Sequence, residues 1–299
     1  MKRSASHIPV LLDEVLALLQ LKSGDIVVDA TLGAGGHARA MLEAISPGGT
    51  LIGFDRDPDA IKTASYNLST RESDSILVAV SSSFSLLGQQ LADRGYRRID
   101  AFLFDLGLSS LQLEAGRGFS FAENAPLDMR FDPRGDLTAE EVVNSYSKER
   151  LADILWQFGE ERASRKIAQA IYDYRRARRI TDTHTLAEIV LDAKGGRRGK
   201  THPATQTFQA LRIVVNSELD EIAQALPQAL DMLADGGRLA VISFHSLEDR
   251  IVKNLFREWH RAGRAQLINK KPVVANRDEI LANPRSRSAK LRVIEKVGE

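Results

Sequence analysis

Val27-Val-Asp-Ala-Thr-Leu-Gly-Ala-Gly-Gly-His37 carries the strongest structural signal in this chain of 299 residues. An apolar run ends in Asp29, and glycines follow at positions 33, 35 and 36. Glycine permits a positive φ and lets a ligand approach the backbone where a Cβ would block it. The stretch therefore predicts a β-strand that leads into a nucleotide-binding loop.

A second strand signal follows at Leu51-Ile-Gly-Phe-Asp55, where another apolar run ends in a carboxylate. In doubly wound sheets, an acid at this point can accept hydrogen bonds from ribose hydroxyls. A glycine loop and an acid at the ends of successive strands indicate a ribose-containing ligand more strongly than either feature does alone.

Short β-like runs alternate with helical stretches through the first hundred residues. The predicted strands are Ile26–Asp29, Leu51–Asp55, Ile76–Val80 and Ala101–Asp105, and the predicted helices are His37–Ile45, Asp57–Leu68 and Ser85–Arg94. Helices of this length between strands imply right-handed βαβ crossovers. The pattern predicts an α/β fold with a mainly parallel sheet.

Helical signals dominate after this alternation stops. Thr138 and Glu141 form a capping box, Ser147 is placed to cap the next helix, and Gly159 is placed to end it. These signals predict a helical insertion within the α/β fold.

A long amphipathic helix is predicted after the insertion. Its apolar face comprises Phe208, Leu211, Val215, Leu219, Ile222 and Leu226. The strand Arg238–Phe244 then resumes the sheet. We predict a core formed by residues 1–112 and 206–299, with residues 113–205 as the inserted helical domain.

The last sixty residues predict one more helix and one more strand signal. Ser246, with Asp249 three residues later, is placed to cap a helix. Leu291 and Val293 alternate with polar residues near the end of the chain. This alternation favours an additional hairpin at the edge of the sheet.

The glycine loop is compatible with two cofactors. Gly33-Ala-Gly-Gly-His-Ala38 matches the G-x-G-x-x-G/A pattern of dinucleotide-binding proteins, which indicates a NAD-dependent oxidoreductase. Two features favour S-adenosylmethionine: Asp29 is placed to bind the amino acid part of that ligand, and Gly35 and Gly36 are adjacent. A tight turn without a ligand is the third interpretation, and the loop alone does not decide among them.

The composition indicates a globular protein with segregated charge. Apolar residues make up 43% of the chain and the net charge is +1, yet the window Arg162–Lys200 holds eleven Lys or Arg and four Asp or Glu. The chain has no cysteine, which excludes disulfides and fits a reducing compartment. Its basic start soon meets Asp13 and Glu14, unlike a signal peptide or a membrane span. We expect a cytoplasmic protein without membrane contact.

Three basic clusters are candidates for binding RNA phosphates. They are Arg175–Arg179, Gly195–Lys200 and the tail residues Arg285, Arg287, Lys290 and Arg292. Solvated arginines are common on helices, so each cluster alone is ambiguous. Three clusters beside a cofactor loop favour a nucleic-acid substrate.

Ten ordered motifs across nearly the whole chain resemble one bacterial family. They are His7–Glu14, Gly33–His37, Phe54–Pro58, Asp105–Ser110, Arg117–Phe121, Pro126–Arg130, His202–Ile213, Val215–Leu219, Ile242–Arg250 and Asn283–Arg292. On these motifs the chain resembles the small-subunit ribosomal RNA (cytosine-N4)-methyltransferases (RsmH, formerly MraW). The resemblance implies a Rossmann-like methyltransferase core, with a mainly parallel seven-stranded sheet and a helical domain inserted after the fourth strand.

The resemblance also implies a cofactor site and a substrate. S-adenosylmethionine would be bound by Gly35, Gly36, His37, Asp55, Phe84, Asp105 and Gln112. The product would be N4-methylcytidine in 16S ribosomal RNA near the decoding centre (P site) of the small subunit. Leu111 stands where the family pattern has proline, which leaves the segment that carries Gln112 less rigid.

Two residues are candidates for the methyl-transfer chemistry. Asp105 ends a predicted strand, and its carboxylate can accept a hydrogen bond from the exocyclic amine of cytosine. His245 follows a strand at the sheet edge where α/β ligands bind, so it is placed to take a proton or to contact phosphate. A structural histidine beside Glu248 is the equal alternative. The six histidines are scattered, and no metal site is expected.

The predicted function is therefore S-adenosylmethionine-dependent methylation of 16S ribosomal RNA in the small ribosomal subunit. Two alternatives stay open at this point: a NAD-dependent oxidoreductase, and a non-enzymatic RNA-binding assembly factor. The sequence leaves the oligomeric state undecided, with a dimer as one option.

Overall fold

The computed structural model describes residues 9–69, 74–196 and 202–298. They form two compact units, one composed of Met1–Ser109 with Leu219–Glu299 and the other of Ser110–Glu218. The first is an α/β unit that holds all seven strands, and the second is helical. In the described part of the chain, none of the helices is both long enough and apolar enough to cross a membrane.

The strands are β1 Ile26–Asp29, β2 Thr50–Asp55, β3 Ile76–Ser81, β4 Ile99–Asp105, β5 Leu233–Ser243, β6 Ala265–Leu267 and β7 Lys290–Lys296. The helices of the α/β unit are α1 Leu12–Leu19, α2 Gly36–Ala44, α3 Pro58–Ser69, α4 Leu87–Asp93, α11 Glu218–Met232, α12 Ser246–Arg261 and α13 Arg277–Ala282. The helical unit holds α5 Ser110–Glu114, α6 Ala139–Ser145, α7 Lys148–Gly159, α8 Ser164–Ala177, α9 Thr183–Ala193 and α10 Thr205–Asn216.

The strands form one sheet in the order β3-β2-β1-β4-β5-β7-β6. The pairs among β1 to β5 are parallel, and β7 is antiparallel to β5 and β6. The predicted Rossmann-like, mainly parallel seven-stranded sheet is therefore confirmed. The strand order reverses between β1 and β4, and crevices at such a switch point bind ligands at the carboxyl ends of the strands.

Apolar side chains cover both faces of the sheet, which explains why the strands read as nearly continuous apolar runs. On one face, Val28, Phe54 and Phe104 pack with residues of α4, α11 and α12. On the other face, Val27 and Leu103 pack with residues of α1, α2 and α3. Successive residues of a strand point to opposite faces, so each central strand contributes to both cores.

The predicted antiparallel pair at the edge of the sheet exists as β6 and β7, but β6 and not β7 is the outermost strand. β7 lies between β5 and β6, and residues 268–289 join β6 to β7 in place of a tight hairpin turn. Leu291, Arg292, Val293 and Ile294 are all buried because β7 has neighbours on both faces. The alternation of apolar and polar residues in β7 therefore does not mean that one face of this strand is exposed to solvent.

β5 also starts earlier than predicted. It begins at Leu233 and includes Gly236 and Gly237, which lie at an irregularity in its pairing with β4. A Cβ at Gly237 would come within 2.8 Å of the backbone oxygen of Asp100. The two glycines therefore allow a bulged start of the strand rather than a turn before it.

Two N-caps predicted from sequence are confirmed, and of the predicted capping box the structure shows the Thr138 half. Thr138 Oγ1 accepts a hydrogen bond from the Glu141 amide at 3.1 Å, and Ser147 Oγ accepts one from the Arg150 amide at 3.1 Å. α7 ends at Gly159, where a Cβ would come within 2.6 Å of the backbone oxygen of Gln206 in α10. The two N-caps depend on neighbouring residues alone, whereas Gly159 is required by the close approach of α10, and the left-handed residue that ends α7 is Glu160.

The predicted long helix is wrong, because the chain forms two helices, α10 and α11. Ser217 between them has a φ of 51°, a left-handed conformation that ends α10. The buried side chain of Asn216 donates to the backbone oxygen of Met129 at 2.7 Å and accepts from the Phe131 amide at 2.8 Å. These contacts with a distant loop hold the break in place.

The end of the helical unit also differs from the predicted boundary at residue 205. The unit extends to Glu218, so α10 belongs to it. Gln209 in α10 donates a hydrogen bond to the backbone oxygen of Phe158 in α7 at 3.0 Å. The apolar residues of α10 therefore pack in the interior of the helical unit. Their spacing continues into α11, which is why the sequence predicted a single helix.

Candidate cofactor and active site

The glycine loop between β1 and α2 has the conformation that its sequence predicts. Gly33 and Gly35 have φ values of 52° and 85°, and Gly35 precedes the first residue of α2, Gly36. A Cβ at Gly35 would lie 3.1 Å from a methyl group of Leu68. The N-cap residue Gly35 has no side chain that could bond the first amides of α2, which leaves them suited to a ligand.

Asp55 at the end of β2 is tied to this loop. Its Oδ2 accepts a hydrogen bond from the Gly33 amide at 2.9 Å, and its Oδ1 accepts one from the Asp57 amide at 2.9 Å. Each carboxylate oxygen keeps a further lone pair for a ligand hydroxyl. Burial raises the pKa of Asp55 to about 6 although these amides oppose the rise.

Phe84 lies just after β3, in a short 3-10 turn that spans Phe84–Leu86. Its ring packs edge to face against Phe104, with the centroids 5.7 Å apart, and it is partly buried. The side chain therefore packs against the core while part of its surface stays exposed near the carboxyl end of the strands. This position suits a contact with an aromatic base.

Asp29 and Asp105 end the neighbouring strands β1 and β4, and Thr31 connects them. The Asp29 carboxylate accepts a hydrogen bond from the Thr31 amide at 3.0 Å, and Thr31 Oγ1 accepts one from the Asp105 amide at 2.7 Å. Burial raises the pKa of Asp29 to about 6. Thr31 was not identified from sequence, although its place directly after the strand was the available signal.

His37 in the first turn of α2 faces Asp105. Its Nε2 lies 3.0 Å from the backbone oxygen of Val10, an atom that can only accept, so Nε2 carries a proton. Its Nδ1 lies 3.5 Å from Asp105 Oδ2. Burial lowers the pKa of His37, which favours the neutral ring with a lone pair on Nδ1. Sequence reasoning missed Val10, because nothing in the sequence pairs it with position 37.

Asp105 is the most perturbed carboxyl group of this edge. Burial, with a smaller contribution from the charge of Glu248, raises its pKa to about 7. Its Oδ1 is buried and has no hydrogen-bond partner within the part of the chain that the structure describes. A buried polar atom without a partner is costly, which indicates that a ligand completes its hydrogen bonding.

His245 caps α12, which corrects the prediction that Ser246 does so. The His245 ring accepts from the Glu248 amide through Nδ1 at 3.4 Å, and the Glu248 carboxylate accepts from the His245 amide at 3.2 Å. His245 Nε2 also lies 3.1 Å from Glu248 Oε1. Nδ1 therefore serves the helix cap, which is a structural role, whereas Nε2 is buried and has no hydrogen-bond partner among the described residues.

Gln112 lies on α5 in the helical unit. Its side chain is buried, with 6% of its surface exposed. The other six predicted cofactor residues lie in the α/β unit, at or just after the carboxyl ends of β1, β2, β3 and β4. The role of Gln112 stays a prediction.

The basic clusters differ in what holds them. Arg175 donates to the backbone oxygens of Val143 and Tyr146 at the end of α6, and Arg179 pairs with Glu140. Arg176 and Arg178 are exposed. In the Gly195–Lys200 cluster, residues 197–200 lie outside the described residues, as does His7 of the first motif.

The tail cluster is partly structural. Lys290 and Arg292 both pair with Asp249, at 3.2 Å and 2.7 Å. Arg287 is exposed. Lys290 and Arg292 therefore share one carboxylate, and phosphate binding by the tail cluster stays a prediction.

The charge of the strand-end site fits one of the two candidate cofactors. Asp29, Asp55 and Asp105 all have raised pKa values, and Asp29 is raised in part by the charges of the other two. A cation beside these groups would relieve their repulsion, and S-adenosylmethionine carries a sulfonium and an ammonium group. The pyrophosphate of a dinucleotide would be repelled instead. The residues present therefore fit the sulfonium cofactor.

Asp105→Asn should stabilise the ligand-free protein at high pH. The pKa of Asp105 is about 7 in the folded protein, against 3.8 for a free carboxyl group. The free energy of unfolding therefore falls as the pH rises from about 3.8 to about 7. Asparagine does not ionise. The gain in unfolding free energy should therefore be about 3 kcal/mol larger at pH 8 than at pH 5. Urea denaturation at the two pH values measures it, and an equal gain at both would contradict the raised pKa.

Comparison with known proteins agrees with this assignment. Residues 4–297 match the MraW methylase family. A ribosomal RNA small subunit methyltransferase H from Neorickettsia sennetsu is 49% identical over 292 residues, which cover 97% of this chain and 96% of that protein. A protein of the same name from Heliobacterium mobile is 44% identical over 310 residues, covering 97% of this chain and 99% of that protein.

Among solved structures, a putative methyltransferase from Streptococcus mutans in complex with SAH is similar at a TM-score of 0.47 and 12% identity, covering 97% of this chain and 100% of that chain. The family match overturns the NAD-dependent oxidoreductase and the non-enzymatic assembly factor as alternatives. This chain belongs to the MraW methylase family and is a methyltransferase that uses S-adenosylmethionine.

Proposed function

We propose that this enzyme methylates the exocyclic N4 of a cytidine in 16S ribosomal RNA near the decoding centre of the small subunit, in the cytoplasm. The names of its relatives support a small-subunit ribosomal RNA substrate. The unpartnered Oδ1 of Asp105, at the end of β4, carries the assignment of the chemistry. This acceptor lacks a hydrogen-bond donor, and we assign the exocyclic amine of cytosine to that place.

The cofactor would be held along the carboxyl edge of the sheet. The amides of Gly36 and His37 lie in the first turn of α2, and Gly35 supplies the positive φ from which this helix starts. Asp55 offers its remaining lone pairs to the ribose hydroxyls, and Phe84 covers the adenine. Gln112 is proposed as a further contact on the ground of the sequence resemblance alone.

The bound cofactor supplies an electrophilic methyl group on a sulfonium centre. The lone pair of cytosine N4 is delocalised into the ring, so an acceptor that is aimed at an N4 proton favours the pyramidal form that attacks. As N4 forms its bond to the methyl carbon, it must lose one proton. Asp105 Oδ1 is the atom that we assign to accept it, because its pKa of about 7 suits a base at neutral pH.

His37 would hold Asp105 in the required state. The Val10 carbonyl holds the proton of His37 on Nε2, so Nδ1 presents a lone pair to Asp105 Oδ2. The lone pair on Nδ1 can accept a hydrogen bond only from a proton on Oδ2, whereas the N4 proton arrives on Oδ1. His37 therefore positions Oδ2 and leaves Oδ1 to accept the N4 proton.

The helical unit Ser110–Glu218 is proposed to bind the RNA. Its exposed cations support this assignment, because contacts with phosphates supply most of the affinity of such enzymes for nucleic acid. A base within folded RNA must be exposed or flipped before it reaches a buried methyl donor. Phosphate contacts can offset that cost of roughly a few kcal/mol.

Transfer of a labelled methyl group tests the proposed function. Small subunits from cells that lack this enzyme should accept one tritiated methyl group per particle from S-adenosylmethionine. Mass spectrometry of the nucleosides should then identify N4-methylcytidine, which should be absent from the untreated subunits. Label found only in another methylated nucleoside would overturn the N4 assignment.

A further inference from the structure

One face of α8 combines cations with an exposed aromatic ring. Arg165, Gln169, Tyr172 and Arg176 occur at i, i+4, i+7 and i+11, so they lie in one row along the helix. All four are exposed, and Tyr172 has 37% of its surface accessible. We call this row, together with the exposed Lys166 beside it, the α8 face.

The cations of the α8 face are available for a partner. Among the described residues, Arg165, Lys166 and Arg176 have no ion-pair partner. Asp173, the carboxylate next to the row, accepts a hydrogen bond from Gln169 at 2.9 Å. The face therefore carries a net positive charge that its neighbours leave unneutralised.

Tyr172 is held in place from the inner side of the helix. The Arg175 guanidinium lies 5.2 Å from the centre of its ring. Arg175 is itself fixed by hydrogen bonds to the backbone oxygens of Val143 at 2.7 Å and Tyr146 at 2.6 Å. The ring is thus pre-oriented while part of its surface faces solvent.

The outer row of the neighbouring helix α7 carries the opposite charge, although this helix also holds Lys148 and Arg150. Its outer row is Glu149, Asp153, Trp156 and Glu160, all exposed, with Trp156 at 59%. An exposed aromatic ring among carboxylates does not suit a polyanion. Of these two exposed rows, only the α8 face has the positive charge that suits a nucleic acid.

We propose that the α8 face binds an unpaired segment of the RNA substrate, with one base stacked on Tyr172 and the backbone phosphates on Arg165 and Arg176. This inference rests on the proposed RNA-directed function. Stacking on an aromatic ring combined with cations that follow the backbone is how proteins bind single strands. Arg165 and Arg176 are about 16 Å apart along the helix axis, which is long enough for several nucleotides.

Filter binding of deproteinised small-subunit ribosomal RNA by the full-length enzyme tests the proposal. Tyr172→Leu should raise the Kd about tenfold, whereas Tyr172→Phe, which keeps the ring, should stay within about twofold of wild type. Trp156→Leu is the matched control on α7 and should leave the Kd unchanged. In the double variant Arg165→Gln/Arg176→Gln, the slope of log K against log salt should fall by about 1.4, since each single-strand phosphate contact contributes about 0.7.

Each outcome bears on the proposal. Equal Kd values for Tyr172→Leu and wild type, or an equal loss in Trp156→Leu, would overturn it. If Tyr172→Leu raises the KM for intact small subunits but not the Kd for naked RNA, the face binds a ribosomal protein and the RNA proposal is wrong.

Methyl transfer by the wild-type enzyme to small subunits is measured in parallel. If that transfer is absent, the proposed function fails, whereas transfer with unaltered Tyr172→Leu binding refutes the α8 face alone.

Discussion

Asp105→Asn is expected to reduce kcat about 1,000-fold at pH 8, since a positioned general base contributes roughly 100- to 10,000-fold. The replacement keeps the size and the hydrogen-bonding shape of the side chain but removes its ability to accept the N4 proton. The Asp105 amide, which donates to Thr31, belongs to the backbone and is retained. Single-turnover transfer of a labelled methyl group to small subunits measures the loss.

The pH profile provides the second readout for Asp105. Because its pKa is about 7 in the free enzyme, kcat/KM of the wild-type enzyme should fall tenfold per pH unit below about 7 and level off above it. In the profile of kcat against pH, the midpoint of the acidic limb should lie at a lower pH, because a cationic cofactor nearby favours the ionised carboxylate. Asp105→Asn should lose this acidic limb.

Calorimetric titration with S-adenosylmethionine is the control for Asp105. The variant should still bind the cofactor within about tenfold of the wild-type affinity, since it loses one buried charge and keeps the loop that surrounds the ligand. Full turnover with intact cofactor binding would show that Asp105 is not the proton acceptor. His245→Ala, compared at equal protein stability, should retain the acidic limb if His245 serves only as the cap of α12.

Asp55→Ala is expected to weaken S-adenosylmethionine binding about 1,000-fold, since the two proposed hydrogen bonds to a charged acceptor contribute roughly 1.5 to 3 kcal/mol each. Its carboxylate also holds the Gly33 and Asp57 amides at 2.9 Å, so the loop loses support at the same time. At saturating cofactor, kcat should fall by less than the affinity does, because Asp55 does not contact the reacting atoms.

Asp59→Ala is the matched control for Asp55. Asp59 lies four residues later, at the start of α3, and its exposed side chain contacts Lys62 at 3.5 Å. Its removal should leave the affinity unchanged within about twofold, as for most surface substitutions. Equal losses of affinity in the two variants would mean that total charge, and not a ribose contact, explains the effect. Thermal denaturation of both variants identifies any loss of folded protein.

Features of the fold that depend on local chemistry could be predicted from sequence. β1 was predicted at its observed bounds, because an apolar run between a turn and a glycine loop has few alternative structures. The caps at Thr138 and Ser147 were predicted for the same reason: a side-chain oxygen can reach an amide three residues later only at a helix start. The seven-stranded sheet and the cofactor were predicted from the motifs that resemble the methyltransferase family.

Features that depend on distant contacts could not be predicted. The break at Ser217 follows from the contacts of Asn216 with a loop some 85 residues earlier in the chain. Capping by His245 in place of Ser246 depends on how the chain leaves β5. The burial of β7 on both faces requires the helices that cover it. In each case several conformations satisfy the local sequence, and a contact from elsewhere selects one.

The sequence by itself determined β1 to β4, the glycine loop, the acids at the strand ends and the family, because each follows from short-range steric preferences or from an ordered set of motifs. Only the tertiary structure decided that Asp105 meets His37, that His37 is held by Val10, and that two tail cations pair with Asp249. The physical reason is that the pKa and the hydrogen-bonding state of a side chain depend on burial and on neighbours that are distant in sequence. The order of residues sets which groups are present, and the packing sets which of them are close enough to react.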